Sequence, residues 1–183
     1  MDCTKCTAKT CRSTASCGAE EFSKADIQPA YAEPHNQKIL QAAASLVDNG
    51  RAGMLSRLEE VIEFIKIMGY QKVGLAYCYG MENEARAVRE IFREQGIRLS
   101  GISCTVGGVA QNEINPESCI HNVSCNPIGQ ATQLNDENTD FVVIMGICLG
   151  HDILLQRNLK ADFTTLVVKD RIFHHNPLLA LKK

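Results

Sequence analysis

The sequence predicts an α/β fold: a doubly wound, mainly parallel four-stranded sheet with flanking helices and a Cys-rich N-terminal metal knot. Three observations carry this. Short apolar strand runs alternate with stretches of helical period, which implies right-handed crossovers and a parallel sheet. The strand runs are almost continuously apolar, as burial on both faces requires. The first 30 residues are polar and cysteine-rich, with too few large aliphatics to build a core. The expected division is therefore 1–30, a Cys-rich metal-binding segment and connector, and 31–183, the α/β domain. A 2-1-3-4 strand order follows by analogy with flavodoxin-like sheets.

The elements follow in order. Gly18 to Ala30 reads as a connector. Pro34 suits a first helical turn, and Ile39, Leu40, Ala43, Leu46 and Val47 recur at helical spacing until Asn49-Gly50 stops them. Ser56-Arg57-Leu58-Glu59 has capping-box spacing. Leu58, Val61, Ile62 and Ile65 form the stripe of that helix, and Gly69 suits a left-handed cap. Lys72 to Cys78 reads as a buried strand, Glu82 to Gln95 as a helix capped by Gly96, and Ile97 to Cys104 as a second strand. Residues 105–125 form a long irregular segment, a length usually functional or disordered. Asn126-Pro127 opens a short helix to about Leu134. Asp140 to Cys148 is the clearest strand, a helix starts near His151, and Phe163 to Val168 is the fourth strand. Asn176-Pro177 repeats the helix-start signal.

Composition narrows the function. The 183 residues carry a net charge of -2 and nine cysteines, with 45% hydrophobic residues. No apolar run of about 18 residues exists, so no membrane span is expected. The start, Met1-Asp2-Cys3-Thr4-Lys5-Cys6, lacks an apolar signal core, so a cytoplasmic location is expected. Mild acidity argues against nucleic acid as a partner. Cysteines kept reduced in the cytosol serve metal binding or catalysis more often than disulfides.

Four cysteines form the first constellation, Cys3-x2-Cys6-x4-Cys11-x5-Cys17. A soft thiolate set favours zinc or an iron–sulfur cluster over calcium or magnesium. The single CxxC and compact spacing lie nearer to iron–sulfur loops, so 4Fe–4S is preferred and zinc is the alternative. The plainer reading is a set of surface thiols.

A second constellation sits on the sheet. Three successive strands end in cysteine, at Cys78, Cys104 and Cys148, and parallel sheets bind ligands beyond these ends. Three thiolates would leave an open coordination position. The competing reading is packing, since free cysteine behaves as a small hydrophobe. Cys119, His121 and Cys125 in the long loop are candidates for a fourth ligand, Cys125 foremost. Gly80 and Gly150 permit close backbone approach at helix starts. His151 is the candidate proton carrier with Asp152 as its orienting carboxylate. The plain alternatives are a polar cap for His151 and a first-turn acid for Asp152. Lys169-Asp170-Arg171 reads as a solvated charge run, with anion binding as the alternative. His174-His175, adjacent in sequence, point apart and do not suit a joint metal role.

Several segments carry a family resemblance. They are the four-cysteine start, Arg57 to Phe64, Gly69-Tyr70-x2-Val73-Gly74, Cys125-Asn-Pro-Ile-Gly-Gln-Ala131, Gly146-Ile-Cys-Leu-Gly-His-Asp152, and Val168-Lys-Asp-Arg171 with His175-Asn-Pro177. They resemble a bacterial domain-of-unknown-function family labelled predicted metal-binding proteins. The resemblance implies a metal and no particular reaction. The leading expectation is a metal-binding protein with a four-cysteine N-terminal site and an open thiolate site at the strand ends. Its partner would be a small molecule or a redox protein. If it is an enzyme, metal- or cluster-dependent lyase, desulfidase-like or redox chemistry is expected. The alternatives are a structural-zinc sensor with a small-ligand domain, and a thiol redox or sulfur-handling protein using Cys78 and Cys148.

Overall fold

A computed structural model describes residues 2–14, 16–17 and 23–182. They form two compact units, dividing between Ser45 and Leu46. In the first, Cys3–Lys5 and Thr10–Arg12 are single 3₁₀ turns. Helix α1 (Lys24–Ala32) follows and contains Pro29, so part of the expected connector is helical. Ser23 before it is extended, and the rest of that connector, 18–22, lies outside the described residues. Helix α2 (Pro34–Val47) begins at its proline and ends before Asn49 and Gly50, both at positive φ.

The second unit holds the sheet. Helix α3 (Arg57–Met68) opens with the expected capping box. The Ser56 hydroxyl accepts from the Glu59 N–H, and the Glu59 carboxylate accepts from the Ser56 N–H. Gly69 closes it at φ 74°, a conformation glycine adopts without a Cβ penalty. Then come β1 (Val73–Tyr77), α4 (Glu82–Glu94), β2 (Leu99–Ser103), the one-turn α5 (Gln111–Ile114), α6 (Pro127–Asp136), β3 (Phe141–Met145), α7 (His151–Asn158) and β4 (Asp162–Val167). A 3₁₀ turn, Pro177–Leu181, stands at the second Asn-Pro signal. The four strands are all parallel, in the order β2-β1-β3-β4, as the sequence predicts.

Side-chain alternation divides the core into two layers. Val73 and Leu75 of β1, with Phe141, Val143 and Met145 of β3, pack with Val61, Ile62 and Ile65 of α3 and Val88 and Phe92 of α4. Ala76 of β1 and Val142 and Ile144 of β3 point the other way, to Ala131 and Leu134 of α6 and Leu155 of α7. Gly74 lies on this second face. A Cβ there would stand 2.6 Å from Leu134 Cδ2, so the missing side chain lets α6 seat on the sheet.

The long segment 105–125 is partly ordered by its own bonds. It holds a 3₁₀ turn (Val106–Gly108), α5, and an antiparallel bridge between Ala110 and Val123. No helix among the described residues is long and apolar enough to cross a membrane.

Candidate functional site

Strand order reverses between β1 and β3, which opens the crevice where parallel sheets take ligands. The chain delivers four cysteines there. Cys78 and Cys104 lie one residue past β1 and β2, and both extend the ladder. The Cys78 N–H donates to Met145 O at 3.1 Å, and the Cys104 N–H donates to Tyr77 O at 2.9 Å. Cys148 lies three residues past β3, beyond Gly146, whose φ of 64° turns the chain. Cys125 precedes α6 by two residues, and the Asn126 N–H donates to Cys104 O at 2.6 Å. Asn126 is the cap that starts α6, accepting from the Gly129 N–H at 2.9 Å. One residue thus begins a helix and fixes the backbone of Cys125 beside that of Cys104.

Cys78 and Cys104 are buried, at 4% and 2% exposure, and Cys125 and Cys148 are half-buried. The Cys104 and Cys125 sulfurs are 3.5 Å apart. The Tyr79 N–H donates to Cys104 Sγ at 3.3 Å. The other two thiols each face a cation, with Lys169 Nζ 3.5 Å from Cys78 Sγ and an Arg171 Nη 3.1 Å from Cys148 Sγ. Burial pushes the Cys104 thiol up to about 12, against the opposing pull of the Tyr79 N–H. Burial also raises Cys125, with the Cys104 contact pulling the other way. Contact with Cys148 raises the Arg171 guanidinium above its ordinary range. Cys78 and Cys148 act electrostatically on Cys125, and Cys78 acts on Cys104, so the four thiols form one electrostatic group.

The remaining candidates fall as follows. His151 is the first residue of α7, and its Nδ1 is buried without a hydrogen-bond partner. One Asp152 oxygen accepts from the Gly150 and Ile153 N–H groups, at 2.9 and 2.8 Å. Cys119 is exposed, as is His121. In the first unit Cys3, Cys6, Cys11 and Cys17 are all exposed. There the Cys6 N–H donates to Cys3 O at 3.3 Å and the Lys9 N–H to Cys6 Sγ at 3.5 Å. Among the described residues, no three His, Cys, Asp or Glu side chains are drawn into the shell of a single ion. His175 Nδ1 accepts from the Asp170 N–H at 3.1 Å, so it holds the turn after β4.

Three participants are not singled out as site residues by sequence reasoning. Lys169 and Arg171 pass for a solvated run, yet they follow β4 at the same sheet edge as the cysteines. Gln130 is fully buried in α6, and its amide donates to Tyr77 O at 3.2 Å and Ile102 O at 2.9 Å. It ties the ends of β1 and β2 together just before Cys78 and Cys104. Its Oε1 has no hydrogen-bond partner. The available signal is position, since Gln130 shares a helical face with Ala131 and Leu134 and is the polar member of it.

An uncharacterized protein of Methanocaldococcus jannaschii, MJ0455, is 38% identical over 181 residues, covering 96% of this chain and 91% of that protein. The similarity thus extends to an archaeon. No solved structure matches the chain. The profile described as "Protein of unknown function (DUF1847)" matches residues 15–166, a span that contains Cys78, Cys104, Cys125 and Cys148. The chain therefore belongs to the DUF1847 family of proteins of unknown function.

Proposed function

We propose that this is a cytoplasmic metal-binding protein whose sheet edge holds an iron–sulfur cluster, 4Fe–4S in type, on Cys78, Cys104, Cys125 and Cys148. The observation that carries it is the convergence of four thiols from four separate junctions, two of them facing Lys169 and Arg171. The donor set fits. Thiolates are soft ligands suited to iron–sulfur or zinc, and two cations offset the negative charge that four thiolates bring. A cubane cluster would take each of the four thiolates on a different iron. Such a cluster, with each iron held by a thiolate, would supply one-electron transfer.

The chain's own residues supply the rest. Lys169 and Arg171 balance charge, Gln130 sets the spacing of the strand ends, and His151, through its unpartnered Nδ1 at the start of α7, is the proton carrier. Cys3, Cys6, Cys11 and Cys17 form a second thiolate set for a cluster or zinc. The partner is a small molecule or a redox protein.

One distance favours a second reading. A tetrahedral ion with metal–sulfur bonds of about 2.3 Å separates its sulfurs by about 3.8 Å, close to the 3.5 Å between Cys104 and Cys125. Zinc at the sheet edge is therefore the alternative. Anaerobic purification with analysis of iron, sulfide and zinc decides between them. The expected result is a brown protein that loses about four irons and four sulfides per chain in Cys78→Ser or Cys148→Ser. Unchanged metal content in both variants removes the sheet-edge site. One zinc lost in place of the iron establishes the alternative.

A further inference from the structure

We propose that Cys125 and Cys104 form a dithiol that reduces small disulfides, closing to an intramolecular disulfide. This activity needs no metal; it belongs to the metal-free chain and excludes a metal held on the same two sulfurs.

The geometry distinguishes this pair from the other thiols at the edge. Their sulfurs are in contact at 3.5 Å. A closure of about 1.5 Å brings them to the S–S bond length of about 2.05 Å. The bond from the Asn126 N–H to Cys104 O already holds the two backbones side by side. Cys78 and Cys148 instead face Lys169 and Arg171. The sequence points to Cys78 with Cys148 as the reactive pair, whereas the structure places Cys104 against Cys125.

Exposure sets the order of events. Cys104 is 2% exposed, while Cys125 is half-buried, so an incoming disulfide reaches Cys125 first. The Cys125 sulfur, releasing its proton, attacks one sulfur of the substrate, breaks its S–S bond and expels one thiolate. The Cys104 sulfur, releasing its proton, then attacks the Cys125 sulfur of the mixed disulfide and expels the second thiolate. Two electrons pass from the protein to the substrate disulfide. The two protons of the protein thiols end on the two product thiols. A metal ligated by Cys104 and Cys125 would hold both sulfurs and block the first attack.

The test uses the full chain, reduced and stripped with a chelator, then mixed with glutathione disulfide. A glutamate-specific protease separates Cys104, in 95–113, from Cys125, in 118–137. The expected product is a cross-link between these two peptides, with fragmentation placing it on Cys125 and not on Cys119. In Cys104→Ser the reaction stalls with glutathione retained on Cys125, and in Cys125→Ser the cross-link is lost. The wild-type peptide map stands without the variants, should either fail to fold. A stable glutathione adduct on wild-type Cys125 without the cross-link overturns the proposal. A main cross-link between Cys78 and Cys148 overturns it too. A cross-link in a protein whose metal content is indifferent to Cys78→Ser and Cys148→Ser supports the dithiol and removes the metal reading. Metal binding without any cross-link does the reverse.

Discussion

Gln130 shows how one side chain can set a site it does not enter. Its amide hydrogens are both used, on Tyr77 O and Ile102 O, at the point where β1 and β2 hand over to Cys78 and Cys104. Replacing it with leucine keeps the volume and removes both bonds, leaving Tyr77 O with the Cys104 N–H. We expect a loss of about 1–3 kcal/mol in urea unfolding. Sulfur spacing should change as well, seen as reduced metal retention in the folded fraction. Tyr70 makes the residue-scale case for pH. Its hydroxyl donates to the Asp162 carboxylate, and its ring stacks on Phe141 at 4.9 Å. Burial, then that bond and its charge, raise the phenol above its ordinary range. The folded state therefore keeps its proton where the unfolded chain releases it at about pH 10. The associated stability is complete below that pH and falls as pH rises through the folded value. A stability profile measured upward from pH 9 should decline, and Tyr70→Phe should flatten the decline. An unchanged slope would assign it to other groups.

At the scale of elements, the legible features are those whose chemistry is local. The Ser56–Glu59 box, the Gly69 cap and the Asn126-Pro127 start are read from residues that bond to backbone only a few positions away. All three stand in the structure. The strand ends are less legible, because apolar sequence continues after pairing stops. The run to Cys148 suggests one long strand, but β3 ends at Met145, since Gly146 at positive φ turns the chain against Met81. This is a tertiary event with no local signal beyond the glycine. Two substitutions separate these cases. Ser56→Ala removes a cap and should cost about 1 kcal/mol. Gly146→Ala places a Cβ 2.1 Å from Met81 Sδ at φ 64°, so strain and overpacking combine. We expect about 2–4 kcal/mol there. Paired urea titrations check the ordering, and a milder effect at Gly146 than at Ser56 would mean that Met81 moves aside freely.

Over the whole molecule, the parallel sheet explains why the site is only partly legible in the sequence. A parallel sheet gathers strand C-termini at one edge, so cysteines at the ends of three predicted strands point to a common place before any coordinates exist. Cys125 and the cations are different. They are 21, 91 and 23 residues from the sulfurs they meet, and only the β2-β1-β3-β4 order brings them in. Lys169 and Arg171 therefore give the test that most depends on the assembled fold. Thiolates that bind a metal carry net negative charge into a partly buried edge, and each cation lowers the cost of that charge. At these separations the attraction favours the thiolates, and solvent screening of an exposed pair keeps it modest. Lys169→Met and Arg171→Met should each weaken metal retention several-fold, and the double variant more than either, without the two effects simply multiplying, because both cations act on the same thiols. Lys169→Arg, which keeps the charge, should stay close to wild type. Competition against a chromogenic chelator at fixed pH measures all four proteins. Retention that is indifferent to the double variant would show that the thiolates are balanced without these cations.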